Sequence, residues 1–356
     1  MELNACWITL NRACNLRCSF CYTNRLGFKK DFDMKYDDYL KIIDFCKQAN
    51  IHSVTLIGGE PTVYPYFFKC VEELVKNNID FVVVTNGVLF SDDDYLKKAI
   101  DSGLDKAGVV SLSVKDVDEK WYKTTTGVAA YNKTLKAYKN LKKNNIRTAF
   151  SFVVTPENVD RYLKCIEDFY DESDSHFVGI SICYDFNETK NKDPYHLEKM
   201  NYPLFLHHFV QTVPELERIT GGHWNLQCGV PRCLIAQNDL KVIGKHTYVG
   251  CQLIDGWGIV FDSDLSMIPC NSSFGIRLGK LGVDFSNFDE FIKYCEEKNY
   301  KETMKYLRSL PSSECLDCKL LTSCKGGCNA YWSQFGFEDL KEYLKNYDFN
   351  SYSYKR

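Results

Sequence analysis

Cys14, Cys18 and Cys21 form a CxxxCxxC triplet in one short stretch of chain. A [4Fe–4S] cluster ordinarily takes four thiolates, so three on one loop can hold three irons and leave the fourth open. The amine and carboxylate of an amino acid could chelate that iron. A zinc knuckle is the competing reading. Zinc favours paired CxxC ligands with a fourth residue nearby, and only Cys18–Cys21 has that spacing.

A second field of cysteines follows the same logic. Cys315, Cys318, Cys324 and Cys328 are spaced x2, x5 and x3, and Cys228, Cys233, Cys251 and Cys270 precede them. Those eight would satisfy two four-thiolate clusters; a single auxiliary cluster, or one with an open iron, also fits the count. The CxxC at Cys315–Cys318 permits structural zinc as well. The remaining cysteines (6, 46, 70, 165, 183 and 295) are scattered through expected strands and helices, where cysteine usually serves as a small buried hydrophobe.

The chain has 17 cysteines, an odd number, so full intrachain pairing is impossible. Met1–Leu10 lacks the basic and long apolar regions of a secretory signal, and no apolar stretch is long enough to span a membrane. The expected location is the cytoplasm, where dense cysteine usage points to metal or redox chemistry. A net charge of −3 gives no electrostatic reason to expect nucleic acid or an anionic membrane as partner.

The elements that must position these residues alternate at the spacing of βα units. Expected strands are Ala5–Leu10, Ser53–Ile57, Phe81–Val84, Ala107–Val114, Thr148–Thr155 and Phe177–Tyr184. Helical periodicity falls at Tyr36–Ala49, after Gly58-Gly59, at Asp92–Ser102, at Tyr131–Lys143, from Pro156 onward and at Leu204–Ile219. The reading is an α/β fold: a partial (β/α)6 TIM-type barrel over 1–220, too short to close in the usual way. A small, loop-rich, cysteine-rich auxiliary domain over 221–340 and a tail over 341–356 follow it. The active edge of such a sheet lies at the carboxyl ends of its strands. The cysteine loop, Gly58-Gly59 and Asn86-Gly87 all follow strands and converge there.

With these residues the chain resembles the radical S-adenosylmethionine (SAM) superfamily. Cys14-Asn-Leu-Arg-Cys18-Ser-Phe-Cys21 fits its CxxxCxΦC motif, with Phe20 at the aromatic position, and Gly58-Gly59-Glu60-Pro61 fits its GGEP element. The resemblance implies that GGEP contacts the SAM amino group, with Glu60 able to accept from an ammonium, and that Asn86, Ser111 and Ser113 are further SAM contacts. It also implies reductive cleavage of SAM to a 5′-deoxyadenosyl radical, which takes hydrogen from a substrate carbon. The second cysteine field resembles the SPASM extension, which binds auxiliary iron–sulfur clusters. Cys251…Gly258-Ile-Val-Phe-Asp-Ser-Asp…Pro-Cys270 resembles its first hairpin. Two places depart from that pattern: no cysteine follows Cys328, and the usual partner soon after Cys251 is missing, with Asp255 nearby. Cys228 and Cys233 stand upstream and could replace them.

Relatives with this extension often act on peptides or proteins, so the first expectation is crosslinking, oxidation or epimerisation of a peptide, with a flavodoxin or ferredoxin as electron donor. A dehydrogenase acting on a sugar or alcohol is the second, and a non-enzymatic electron carrier the third. Asn271 stands where sulfatase-maturing relatives carry a basic aspartate, which counts against a dehydrogenase. Epimerases need a thiol hydrogen donor; Cys183 is the candidate, with a buried core cysteine as the plainer reading. Tyr22, Tyr184 and Asp185 could line the cavity and are given no role.

Overall fold

The computed structural model describes residues 2–21, 23, 32–170, 178–182, 202–227, 229–246, 251–273 and 275–328. Six strands run parallel in chain order: β1 (Ala5–Thr9), β2 (Ser53–Ile57), β3 (Asp80–Thr85), β4 (Val109–Val114), β5 (Thr148–Val154) and β6 (Val178–Ile182). β5 shows why. Thr148, Phe150, Phe152 and Val154 are buried, while Ala149, Ser151 and Val153 between them are only partly so. That period of two gives one face to the helices and the other to the barrel interior. The outer face is closed by α1 (Tyr36–Gln48), α2 (Phe67–Lys76), α3 (Asp93–Asp101), α4 (Glu119–Thr126), α5 (Tyr131–Lys143), α6 (Tyr162–Phe169) and α7 (Tyr202–Thr220). Phe150, for example, meets Tyr138 of α5 edge-on at 5.2 Å and Phe169 of α6 at 5.8 Å.

Two local expectations change. α6 begins at Tyr162 and not directly after Pro156. Asn158 accepts from the Thr155 amide and donates to the Val153 carbonyl, a side-chain turn that competes with helix. α4 is an additional helix, with Asp118 capping the Trp121 amide and Gly127 closing it at φ +74°.

The sheet extends beyond six strands at both edges. β7 (Trp224–Leu226) pairs parallel with β6. On the other side β8 (Gly258–Phe261) pairs parallel with β1, Ala5 opposite Gly258 and Ile8 opposite Phe261. β9 (Ser266–Ile268) and β10 (Gly279–Lys280) follow antiparallel, giving the order β10-β9-β8-β1-β2-β3-β4-β5-β6-β7. The hairpin expected to open a second domain is therefore hydrogen-bonded to the first strand of the barrel. Phe45 of α1 packs against Phe261, Phe285, Phe288 and Phe291, so the two parts also share apolar core.

The region after residue 220 is loop-rich as expected, yet it carries α8 (Gln237–Ile243), α9 (Gln252–Asp255), α10 (Phe288–Cys295), α11 (Lys298–Leu307) and α12 (Leu321–Cys324). Among the described residues no helix is long and apolar enough to cross a membrane. Residues 341–356 lie outside the described residues.

Candidate functional site

The loop after β1 and the loop after β2 are laced together by backbone. The Gly59 amide donates to the Asn11 carbonyl at 2.8 Å, and the Glu60 amide to the Ala13 carbonyl at 2.8 Å. A Cβ on Gly58 would sit 2.3 Å from the Asn11 side chain, and one on Gly59 2.3 Å from the Ala13 carbonyl. Two glycines stand here because the cysteine loop leaves no room for a side chain. On its far side the loop is held by α4: the amides of Arg17 and Ser19 donate to the carbonyls of Thr126 and Thr125.

Cys14, Cys18 and Cys21 lie together within this frame. Burial pushes the Cys14 thiol up to about 12, helped by the charge of Glu60 and by the neighbouring Cys18 and Cys21. Burial raises Cys18 to about 11, against the pull of Lys115. Such thiols stay protonated until a metal takes them, so loading releases protons. Among the described residues no three His, Cys, Asp or Glu side chains converge tightly enough for one metal ion. A cluster asks for no such convergence, because each thiolate binds a different iron. Three soft donors set apart on one loop, packed against two glycines, fit an open-site [4Fe–4S] cluster.

Glu60 is buried. Its Oε1 accepts from the Thr62 amide (3.1 Å), the Thr62 hydroxyl (2.6 Å) and the Thr85 hydroxyl (2.6 Å); its Oε2 accepts from the Asn86 amide at 2.7 Å. Burial raises its carboxyl above the ordinary range, and these four donors pull it back. Asn86 in turn donates from Nδ2 to Asn15 Oδ1 at 2.7 Å, with Cys14 Sγ at 4.0 Å. Pro61 opens a buried one-turn segment capped by Glu60.

Ser111 and Ser113 lie on the partly open face of β4. Ser113 Oγ accepts from Lys115 Nζ at 2.6 Å and from Ser151 Oγ at 3.1 Å. Lys115 Nζ stands 5.8 Å from the centre of the Phe20 ring. Sequence reading missed Lys115; its one signal was the two-residue offset from Ser113, which repeats the strand face. Cys183, Tyr22, Tyr184 and Asp185 lie outside the described residues.

In the second field, Cys233 lies within electrostatic reach of Cys324, Cys315 and Cys318. The Arg232 amide points at Cys324 Sγ, 3.5 Å away. The Cys328 amide donates to the Gly229 carbonyl at 2.7 Å. Gln252 and Pro269, the neighbours of Cys251 and Cys270, line one cavity of about 260 Å³. Asp255 is engaged otherwise, with the Cys251 amide at 2.8 Å and Lys325 Nζ at 2.7 Å. Asn271 Oδ1 accepts from Thr9 Oγ1 of β1 at 3.3 Å. Cys228 lies outside the described residues, and Cys6, Cys46, Cys70, Cys165 and Cys295 are buried.

A parallel partial barrel with a three-cysteine loop and a glycine loop at its carboxyl edge defines a class of protein. Residues 8–169 match the radical SAM superfamily, and the chain carries a radical SAM domain. A domain of this family implies a [4Fe–4S] cluster and SAM.

The relatives are various. The chain is 25% identical over 354 residues to "Radical SAM cyclopropyl synthase TigE" of Paramaledivibacter caminithermalis, covering 92% of this chain and 68% of that protein. It is 30% identical over 163 residues to "Probable GTP 3′,8-cyclase" of Saccharolobus islandicus, covering 45% of this chain. It spans only about half (51%) of that cyclase. Two solved structures share the fold. SuiB of Streptococcus suis bound to precursor peptide SuiA has a TM-score of 0.66 at 18% identity, over 94% of this chain and 73% of that one. A histidine-tagged anSMEcpe with bound AdoMet has 0.67 at 23%, over 97% and 95%.

Proposed function

We propose that the chain is a radical SAM enzyme that modifies a peptide or small protein, by crosslinking, oxidation or epimerisation. The observation that carries the reading is the extent of the shared fold. It covers 94% of the chain against SuiB, whose structure holds a precursor peptide, and 97% against anSMEcpe, which has also been captured with a Cp18Cys peptide. Likeness to TigE along 92% of the chain includes the auxiliary region as well as the barrel.

When bound, the cluster and SAM supply one-electron chemistry that ends in hydrogen abstraction from a substrate carbon. Cys14, Cys18 and Cys21 would hold that cluster. Gly58, Gly59, Glu60, Pro61, Asn86, Ser111, Ser113 and Phe20 would line the SAM site. In this reading Glu60 acts through the backbone it fixes, since its carboxylate already accepts four hydrogen bonds. The cysteines after residue 220 would hold one or two auxiliary clusters of SPASM type, fed by a flavodoxin or ferredoxin in the cytoplasm.

Reconstituted anaerobically and supplied with SAM and reductant, the protein should release 5′-deoxyadenosine and methionine. Co-expressed with short neighbouring reading frames, it should change one product. A loss of about 2 Da would mean crosslinking or oxidation, and deuterium uptake without other mass change would mean epimerisation. SAM cleavage with no peptide altered, but with a small molecule consumed, would overturn the peptide reading. That second reading is favoured by the 30% identity to the cyclase, which is confined to 163 residues.

A further inference from the structure

The SPASM pattern that the auxiliary region resembles lacks two ligands here, one soon after Cys251 and one after Cys328. Cys315 and Cys318 flank a tight turn in which the Cys318 amide donates to the Cys315 carbonyl, and Cys324 ends α12 two turns later. The segment 229–234 is packed on this loop. Its Arg232 amide is aimed at Cys324 Sγ (3.5 Å), and its Gly229 carbonyl takes the Cys328 amide (2.7 Å). Pro231 lies so close to Gly327 that a Cβ there would be 2.7 Å from the Pro231 ring. A chain so tightly docked delivers the next residue, Cys233, to the same place.

We propose that Cys233 is the fourth thiolate of a cluster held by Cys315, Cys318 and Cys324. This inference rests on the reading of the region as an auxiliary iron–sulfur domain and goes further, by closing one cluster with a ligand from upstream of the others. Zinc is the competing metal. It would draw four sulfurs to within about 2.3 Å of one ion, and the metal counts below decide between the two.

Closed coordination carries a functional consequence. With all four irons capped by protein, this cluster has no site for substrate and serves to pass electrons. Cys233 and Cys318 are exposed, so it also sits where a soluble donor can reach it. Taking up a preformed cluster changes no oxidation state: each thiol gives up its proton as its Fe–S bond forms.

The test removes the SAM-binding cluster first, with Cys14→Ala, Cys18→Ala and Cys21→Ala together, so that remaining iron is auxiliary. Iron, zinc and sulfide are then counted after anaerobic reconstitution, with EPR and Mössbauer spectra. Adding Cys233→Ala should remove about four irons per chain, or convert one cluster to a three-iron form. Adding Cys295→Ala, a buried cysteine outside both fields, should leave the count unchanged. Unchanged iron and spectra in Cys233→Ala would overturn the assignment, as would stoichiometric zinc. A triple variant that binds no iron at all would overturn the auxiliary-cluster reading itself. Where Cys233→Ala does not fold, Cys233→Ser decides: an oxygen ligand must shift the reduced-cluster EPR signal, and an unshifted signal overturns the proposal.

Discussion

Glu60 shows how a motif residue changes meaning once its neighbours are known. GGEP was legible through its resemblance to the family element that follows the cysteine loop, and its place after the second strand was legible too. Its partners were not, because Thr85 and Asn86 arrive from β3, 25 and 26 residues later. The carboxylate accepts from donors only, and both its oxygens are used. Glu60→Gln would turn an amide NH₂ toward at least one of those donors. Hydrogen bonds to a buried charge are worth about 1.5–3 kcal/mol each, and an unsatisfied buried donor adds to the loss. The variant should therefore be destabilised by about 2–4 kcal/mol in urea unfolding. Because Asn86 links Glu60 to Asn15 beside Cys14, iron retention should fall as well. A stability loss with full iron binding would detach Glu60 from the cluster loop.

At the scale of elements, the βα alternation was readable because each strand repeats at two residues and each long helix at 3.6. α4 escaped because it is short and its buried residues are few, although Asp118 and Gly127 signal both of its ends. It matters more than its length suggests. Arg161 grips the buried Asp116 with Nε (2.8 Å) and Nη2 (2.9 Å), and its guanidinium lies 3.9 Å from the Trp121 ring centre on α4. Thr125 at the other end of α4 donates to the same carboxylate. The carbonyls of Thr125 and Thr126 then hold the amides between Cys14 and Cys21. Breaking a buried pair on one side costs about 3–5 kcal/mol. Arg161→Met should lose that much and bind the first cluster more weakly; Arg161→Lys should recover only part, lacking the second nitrogen. Iron content against unfolding free energy checks this.

The β8–β9 turn gives a pH test at the same scale. Burial works to raise the Asp264 carboxyl, but hydrogen bonds from Ser266 and the charges of Arg277 and Lys280 outweigh it and hold it below the ordinary range. A carboxyl depressed in the folded state stabilises above its unfolded pKa and loses that contribution as pH falls through the folded value. Asp264→Asn should flatten the acid limb of a stability–pH curve below about pH 4. The effect should stay under about 1 kcal/mol, since the ion pairs are solvent-screened.

The whole molecule is built around a contact that no sequence pattern announced. β1 and β8 are about 250 residues apart, and nothing in either strand names its partner; only the folded sheet puts Ala5 beside Gly258. Arg12 and Asp262 fix the carboxyl end of that pairing. Arg12 is buried in the cysteine loop, and its Nη2 lies 2.7 Å from both oxygens of Asp262, the residue that follows β8. The loop that would hold the first cluster is thus tied by one ion pair to the hairpin that leads to Cys270. Asp262→Leu would leave a buried guanidinium without this carboxylate, at a cost of about 3–5 kcal/mol. Arg12→Leu with Asp262→Leu removes both charges and should be milder than the sum of the single variants, with a coupling of about 1–3 kcal/mol. The two variants also separate stability from alignment. If the pair only stabilises the sheet, the double variant should regain both urea midpoint and SAM cleavage. If it also sets the loop against the auxiliary hairpin, the midpoint should return while reduction of the first cluster remains slow.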